Sequence, residues 1–365
     1  MRALYMIAMA VLPMRTVPQC LAPFIALDRS MVFCEGRFLE VDARPPRIMH
    51  AMGNGLFFTD QQQRPCRWGV EAKAVDVLQR GPVDAVQASG DRVAWKVADT
   101  LWTLLGDRAR VMASGVERFR VSDSLIVLVD STEQELVVYW KGRRIPLATL
   151  SQGSERPQWT QGGNTVCWYD RGQRALFGFH HGLVQGLVDS SDVGIAVNGT
   201  DVIGYWNDPK GEWMGRINGT SVRLSGMKPV SAQAGDRLLA FVDGTLKLKA
   251  WRGAAIVQLT DSMPAQYWVK DRVLLYLWGG RLHLWTSDGP VAVEEQVPEK
   301  WEVAGDRVVY LDINRELRSL RVDGTREHLG NEPGITGFSV HGEAVVYPSP
   351  AGGTVVWCGG RRYVY

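Results

Sequence analysis

Short apolar runs, each opened by a tight turn and closed by a polar residue, follow one another along nearly the whole chain. In Ala304-Gly-Asp-Arg-Val-Val-Tyr-Leu-Asp312 a turn leads into the run Val308–Leu311 and an acid ends it. The same phrase returns at Gly90-Asp-Arg-Val-Ala-Trp95, Gly235-Asp-Arg-Leu-Leu-Ala-Phe-Val-Asp243 and Lys270-Asp-Arg-Val-Leu-Leu-Tyr276. Weaker copies begin near Asn54, Asp123, Asn164, Thr200 and Gly342. Taking the first apolar residue of each copy as an anchor gives Leu56, Val93, Leu125, Val166, Val202, Leu238, Val273, Val308 and Val345, spaced 37, 32, 41, 36, 36, 35, 35 and 37 residues apart. A period held this closely marks a solenoid, propeller or array. A partial copy at Arg29-Ser-Met-Val-Phe33 lies ahead of the first anchor.

Within one period the pattern predicts four short strands. A polar-apolar lead such as Val116-Glu-Arg-Phe-Arg120 comes first, then the anchor strand, a third strand, and a polar-apolar strand such as Arg143–Leu147. Asn54-Gly55, Asn198-Gly199, Asn218-Gly219, Asp243-Gly244, Asp288-Gly289 and Asp323-Gly324 are two-residue hairpin signals, because a type I′ turn needs positive φ at both central positions. Gly69–Gln79 reads equally as a helix or as an edge strand. No stretch is long enough for a helical crossover between parallel strands. Four antiparallel strands per unit, repeated radially, make a β-propeller blade. The expectation is an all-β fold: a single β-propeller over residues 22–365, about 36 residues per four-stranded blade, with eight to ten blades. Either two of the copies are irregular or the N-terminal strands complete the last blade, and an open solenoid is the alternative.

The Gly-Asp-Arg-Val-x-Tyr/Phe-x-Asp phrase and the strand after it resemble bacterial propellers of the loosely defined TolB or WD40-like type, over roughly residues 47–365. The resemblance implies architecture and is nearly silent on activity. The Gly-His lead and regular Trp-Asp ending of true WD40 repeats are missing.

Charge narrows the choice of partner. Forty-one Lys and Arg against 39 acids leave a net charge of +2, which offers no general attraction to nucleic acid or an anionic membrane. Residues 1–21, with Met1-Arg2 and an apolar stretch Ala3–Leu12, read as an export signal or a lead-in to the fold; the stretch is too short to span a bilayer. Export to the periplasm, cell surface or medium is the favoured expectation, with a cytoplasmic location kept open. The five cysteines show no C-x-x-C pair; Cys167 and Cys358 fall in strand patterns as buried thiols, and Cys34 with Cys66 is the pair considered for a disulfide.

Candidate chemistry is sparse. His180-His181 adjoin, but neighbours on a strand face opposite ways, so they converge only if a turn intervenes. Asp60, Asp130, Asp170, Asp243 and Asp312 end anchor strands; they could ring a channel as paired carboxylates, but such an Asp more often caps the following turn. Asp208-Pro-Lys-Gly-Glu-Trp213 lacks the residues of a sialidase Asp-box. Of the 14 Trp, Trp95, Trp168, Trp278 and Trp357 are expected between blades, while Trp206, Trp213, Trp251 and Trp285 lie near turns or second strands, each either a core residue or an exposed anchor.

These features predict a non-catalytic module for protein binding or assembly. Its binding residues would be Trp206, Lys210, Trp213 and Arg216 as an aromatic-basic patch, together with His180 and His181. No cofactor and no metal site are expected. A propeller hydrolase or lyase with acids at the channel mouth, and a carbohydrate-binding propeller, are the rivals.

Overall fold

The computed structural model describes residues 20–150, 158–330 and 332–365. The expected export signal over residues 1–21 falls, up to residue 19, outside them. Every regular element among the described residues is a strand, and the stretch that read as helix or strand gives the edge strand Val75–Val77. The strands form ten antiparallel sheets, nine of four strands and one of three, and in each the spatial order follows the chain order. This is a ten-bladed propeller, at the upper end of the expected range. The inner strands of successive blades pack against one another around the axis.

The first blade holds the three described strands Leu21–Ala26, Arg29–Cys34 and Arg37–Asp42. They correspond to the second, third and outer strands of the other blades. The pairing of the last two carries a bulge at Ser30/Met31, and the same irregularity separates third from outer strands at Leu136/Val137, Leu176/Phe177, Trp213/Met214 and Leu317/Arg318. The tenth blade, Ser339–His341, Ala344–Pro348, Thr354–Cys358 and Arg361–Val364, is complete in itself. The N-terminal strands therefore do not complete the last blade. They form their own and dock against it, and a Cys20–Cys358 disulfide with Cα atoms 6.3 Å apart joins the two. Cys358 is thus not the free thiol its strand pattern implied. Cys34 and Cys66 are both free and buried.

The sequence period follows from burial. Second strands are covered on both sides by neighbouring blades, so they must be apolar throughout. All nine anchors, Leu56 to Val345, are fully buried. The Gly of the repeated phrase has a separate cause. The turns between inner and second strands climb against one another: Thr200 N–H donates to Gly235 C=O (3.0 Å) and Arg272 N–H to Gly305 C=O (3.1 Å). A Cβ on Gly199 would lie 1.9 Å from the Gly235 carbonyl oxygen, so only glycine lets the two backbones approach.

Antiparallel order sorts the turns between two faces. Turns from inner to second strand and from third to outer strand emerge on a first face. Turns from second to third strand, and the links between blades, emerge on the second.

Candidate functional site

The recurring acids sit on the second face and serve the turns. Asp60 Oδ1 accepts the N–H groups of Gln62 (3.0 Å) and Arg64 (2.8 Å), Asp243 those of Thr245 and Lys247, and Asp312 those of Asn314 and Glu316. Asp130 and Asp170 do likewise for their turns. Cations meet the other carboxylate oxygen: Arg64 on Asp60, Lys249 on Asp243 and Arg318 on Asp312, at 2.7, 2.7 and 3.0 Å. Burial alone would raise the Asp243 pKa, but bonds from Lys249, Thr245 and Lys247 outweigh it and hold the carboxyl at about 2.

The channel mouth on the first face is an opening of about 830 Å³. Its polar groups join blades together. Asp91 accepts Gly53 N–H (2.6 Å), Asp271 accepts Gly305 N–H (2.8 Å), Glu302 accepts Val340 N–H (3.1 Å), and the His50 imidazole bonds Gly90 C=O (2.8 Å).

The aromatic-basic patch expected from Trp206, Lys210, Trp213 and Arg216 is not assembled. Trp213 is fully buried between the sixth and seventh blades, against Leu239, Phe241 and Trp251. Trp206, its cross-strand partner, is half-buried in the same cluster. Trp251 and Trp285 are buried as well. A third strand lies between two sheets, so a large ring on it packs inward even near a turn. Lys210 is exposed in the second-face turn, whereas Arg216 lies toward the far end of Glu212–Ile217, about 13 Å along the strand from Glu212, beside the first face.

What the structure does bring together is His180, His181 and Arg216. The third strand of the fifth blade ends at His180; His181 (φ +50°) and Gly182 (φ +86°) form the turn to the outer strand. The turn cancels the alternation that would separate the two rings, whose centroids lie 4.1 Å apart. Gly182 is required twice over, by its φ and because a Cβ there would lie 2.8 Å from the Trp140 ring. The sixth blade adds Asp201 from its first turn. Asp201 Oδ1 lies 3.3 Å from His180 Nε2 and 3.2 Å from His181 Nε2, and it accepts a 2.8 Å bond from Asn164 Nδ2.

This triad opens on a cleft of about 320 Å³ between the two blades, walled by Leu183, Leu187 and Ile203 and edged by Gln185, Arg216 and Asn218. Arg216 bonds Gln185 Oε1 and Ser221 Oγ and has no carboxylate partner among the described residues. Burial pushes the His180 pKa down, favouring the neutral ring. The Asp201 pKa, which burial alone would raise, is held below its usual value by bonds from Asn164 and His180. Asp201 was not among the residues singled out from the sequence; its only signal was its place in the repeated phrase.

A family model described as a ten-bladed β-propeller domain matches residues 16–363. No curated protein sequence matches the chain. Solved structures align with the chain at low identity and low TM-score. The computationally designed Ika8 protein is 14% identical, with 76% of this chain and 96% of that one covered and a TM-score of 0.35. The CRINKLY WD40 ectodomain of the Arabidopsis thaliana receptor kinase ACR4 is 10% identical, with 68% and 98% covered and a TM-score of 0.33. PorZ, a bacterial surface component of the type-IX secretion system of Porphyromonas gingivalis, is 11% identical, with 96% and 59% covered and a TM-score of 0.29.

Proposed function

The chain belongs to the ten-bladed β-propeller domains, and from that premise we propose that it is an exported recognition module that captures a protein partner on its first face. The observation that carries this reading is Arg216. Its guanidinium edges a concave, partly apolar cleft and has no carboxylate partner among the described residues. An acidic side chain of a partner supplies the missing bidentate acceptor, and Leu183 and Leu187 cover its apolar stem. The cleft therefore favours a carboxylate-bearing protein segment over a sugar, for which no Trp platform lines it.

The recurring acids support binding over hydrolysis: each is committed to its own turn. Export is supported by the disulfide, since such bonds persist in oxidising compartments.

The test compares capture of interacting proteins by immobilised wild type, Arg216→Ala and Lys210→Ala. Capture should be lost with Arg216→Ala and retained with Lys210→Ala, at unchanged melting temperatures. The reverse pattern moves recognition to the other face and overturns the reading. Hydrolysis of a glycan or peptide substrate, abolished by a single acid-to-amide change, overturns the module itself.

A further inference from the structure

From the geometry of His180, His181 and Asp201 we infer that the cleft holds a divalent transition metal of the zinc class, with an open coordination position facing Arg216. Each of the three residues offers one ligand atom, two imidazole nitrogens and a carboxylate oxygen, and these lie within 4.8 Å of one another. The Nε2 atoms of both rings face Asp201 Oδ1. The two nitrogens stand 3.3 and 3.2 Å from that oxygen. The bond between His180 and Asp201 is thus a long one, beyond the about 2.7–2.9 Å of charge-assisted hydrogen bonds. Both distances match the edge of a coordination tetrahedron, about 3.3 Å for metal–ligand bonds of about 2.0–2.1 Å.

The donor set chooses the metal. Two imidazoles and one carboxylate suit zinc and its neighbours, whereas calcium and magnesium take oxygen ligands. Three protein ligands leave the fourth position to solvent or a bound group, as in open zinc sites. The surroundings fix the ligands in place. Asn164 Nδ2 holds Asp201 Oδ1 at 2.8 Å, the outer-shell bond that orients a ligating carboxylate. The Trp140 ring stands edge-on to His181 at 6.4 Å and backs the turn.

Charge then dictates what occupies the open position. A dication, one carboxylate ligand and the Arg216 guanidinium sum to about +2 in one small cleft. An anion bridging metal and guanidinium neutralises it, and a carboxylate has the right two oxygens. This use of the metal rests on the cleft being the recognition site; the binding of the metal does not.

The experiment uses the purified full chain, stripped with a chelator and titrated with Co(II), whose d–d absorption reports low-symmetry nitrogen and oxygen ligation. One Co(II) per chain is expected, displaced by Zn(II). His181→Ala and Asp201→Asn should each weaken it at least tenfold, while His283→Ala, elsewhere in the ring, changes nothing. The metal-free variants should melt like the metal-free wild type, and added Zn(II) should raise the melting temperature of the wild type alone. Absence of the absorption band, or wild-type affinity in His181→Ala and Asp201→Asn, overturns the inference. Co(II) binding together with unimpaired capture by Arg216→Ala would leave the metal site standing and sink the recognition reading. Capture that depends on Arg216 without any Co(II) binding would do the opposite.

Discussion

Lys300 Nζ lies 3.3 Å from Glu302 Oε1, and the pair does between the ninth and tenth blades what one glutamine does elsewhere in the ring. Gln233 accepts Val269 N–H and donates to Tyr267 C=O, both at 2.9 Å, so its amide pairs like a piece of strand with the next inner strand. Gln87 repeats this with Val121 and Phe119. At position 302 the carboxylate still accepts, from Val340 N–H, but cannot donate. Lys300 supplies the donor, 2.6 Å from Phe338 C=O.

This division of labour predicts non-additivity. Lys300→Ala leaves the Phe338 carbonyl without its donor and should cost on the order of 1–3 kcal/mol. Adding Glu302→Gln restores a single-residue clasp and should recover most of the loss. Urea denaturation of both single variants and the double variant gives the coupling energy directly. Simple addition of the two effects would show that the clasp is not shared.

Trp213→Ala should destabilise by about 3–5 kcal/mol, since it empties a fully buried site between blades. Arg216→Ala, on the same strand but half-exposed, should stay within about 1 kcal/mol. Thermal melts of the two variants separate core from cleft, and similar losses would contradict the assignment.

Reduction of Cys20–Cys358 should lower stability by up to about 5 kcal/mol, because the bond closes most of the chain into one loop. Cys358→Ala should melt low with or without reductant, whereas Cys34→Ala should keep the reductant sensitivity of the wild type. A melting temperature indifferent to reductant would count against the bond.

Acid should weaken the fold through Asp243. Its pKa is about 2 in the folded chain against 3.8 for the free side chain, so the unfolded state binds the proton more readily. The resulting stabilisation, on the order of 2 kcal/mol, is complete above pH 3.8 and is lost as the pH falls toward 2. Asp243→Asn should be less stable than wild type at neutral pH and draw level with it near pH 2. A constant difference across that range would exclude the carboxylate as its source.

The ring was legible because its requirement is local. A second strand covered on both sides must be apolar, so Leu56 through Val345 kept time along the chain. The capping role of Asp243 was legible for the same reason, since its bonds reach only to Thr245 and Lys247. The cleft was not, because it exists only where one blade's last turn meets the next blade's first. Nothing near His181 in the chain announces Asp201, and only Gly182, which permits the turn, hinted that the two rings converge. Trp213 misled because nearness to a turn says nothing about which way a third-strand side chain points. Cys20 and Cys358 stand 338 positions apart, a distance over which spacing carries no information.

The Cys20–Cys358 bond also decides how the protein bears load. A pull applied at residues 20 and 365 travels through the sulfur bridge and along the last strand, Arg361–Val364. The blades between the two cysteines carry none of it. An outer strand can peel away, yet the disc cannot be drawn out into a line while the bridge is intact. The redox state of the surroundings therefore decides whether the blades between the two cysteines come under load at all.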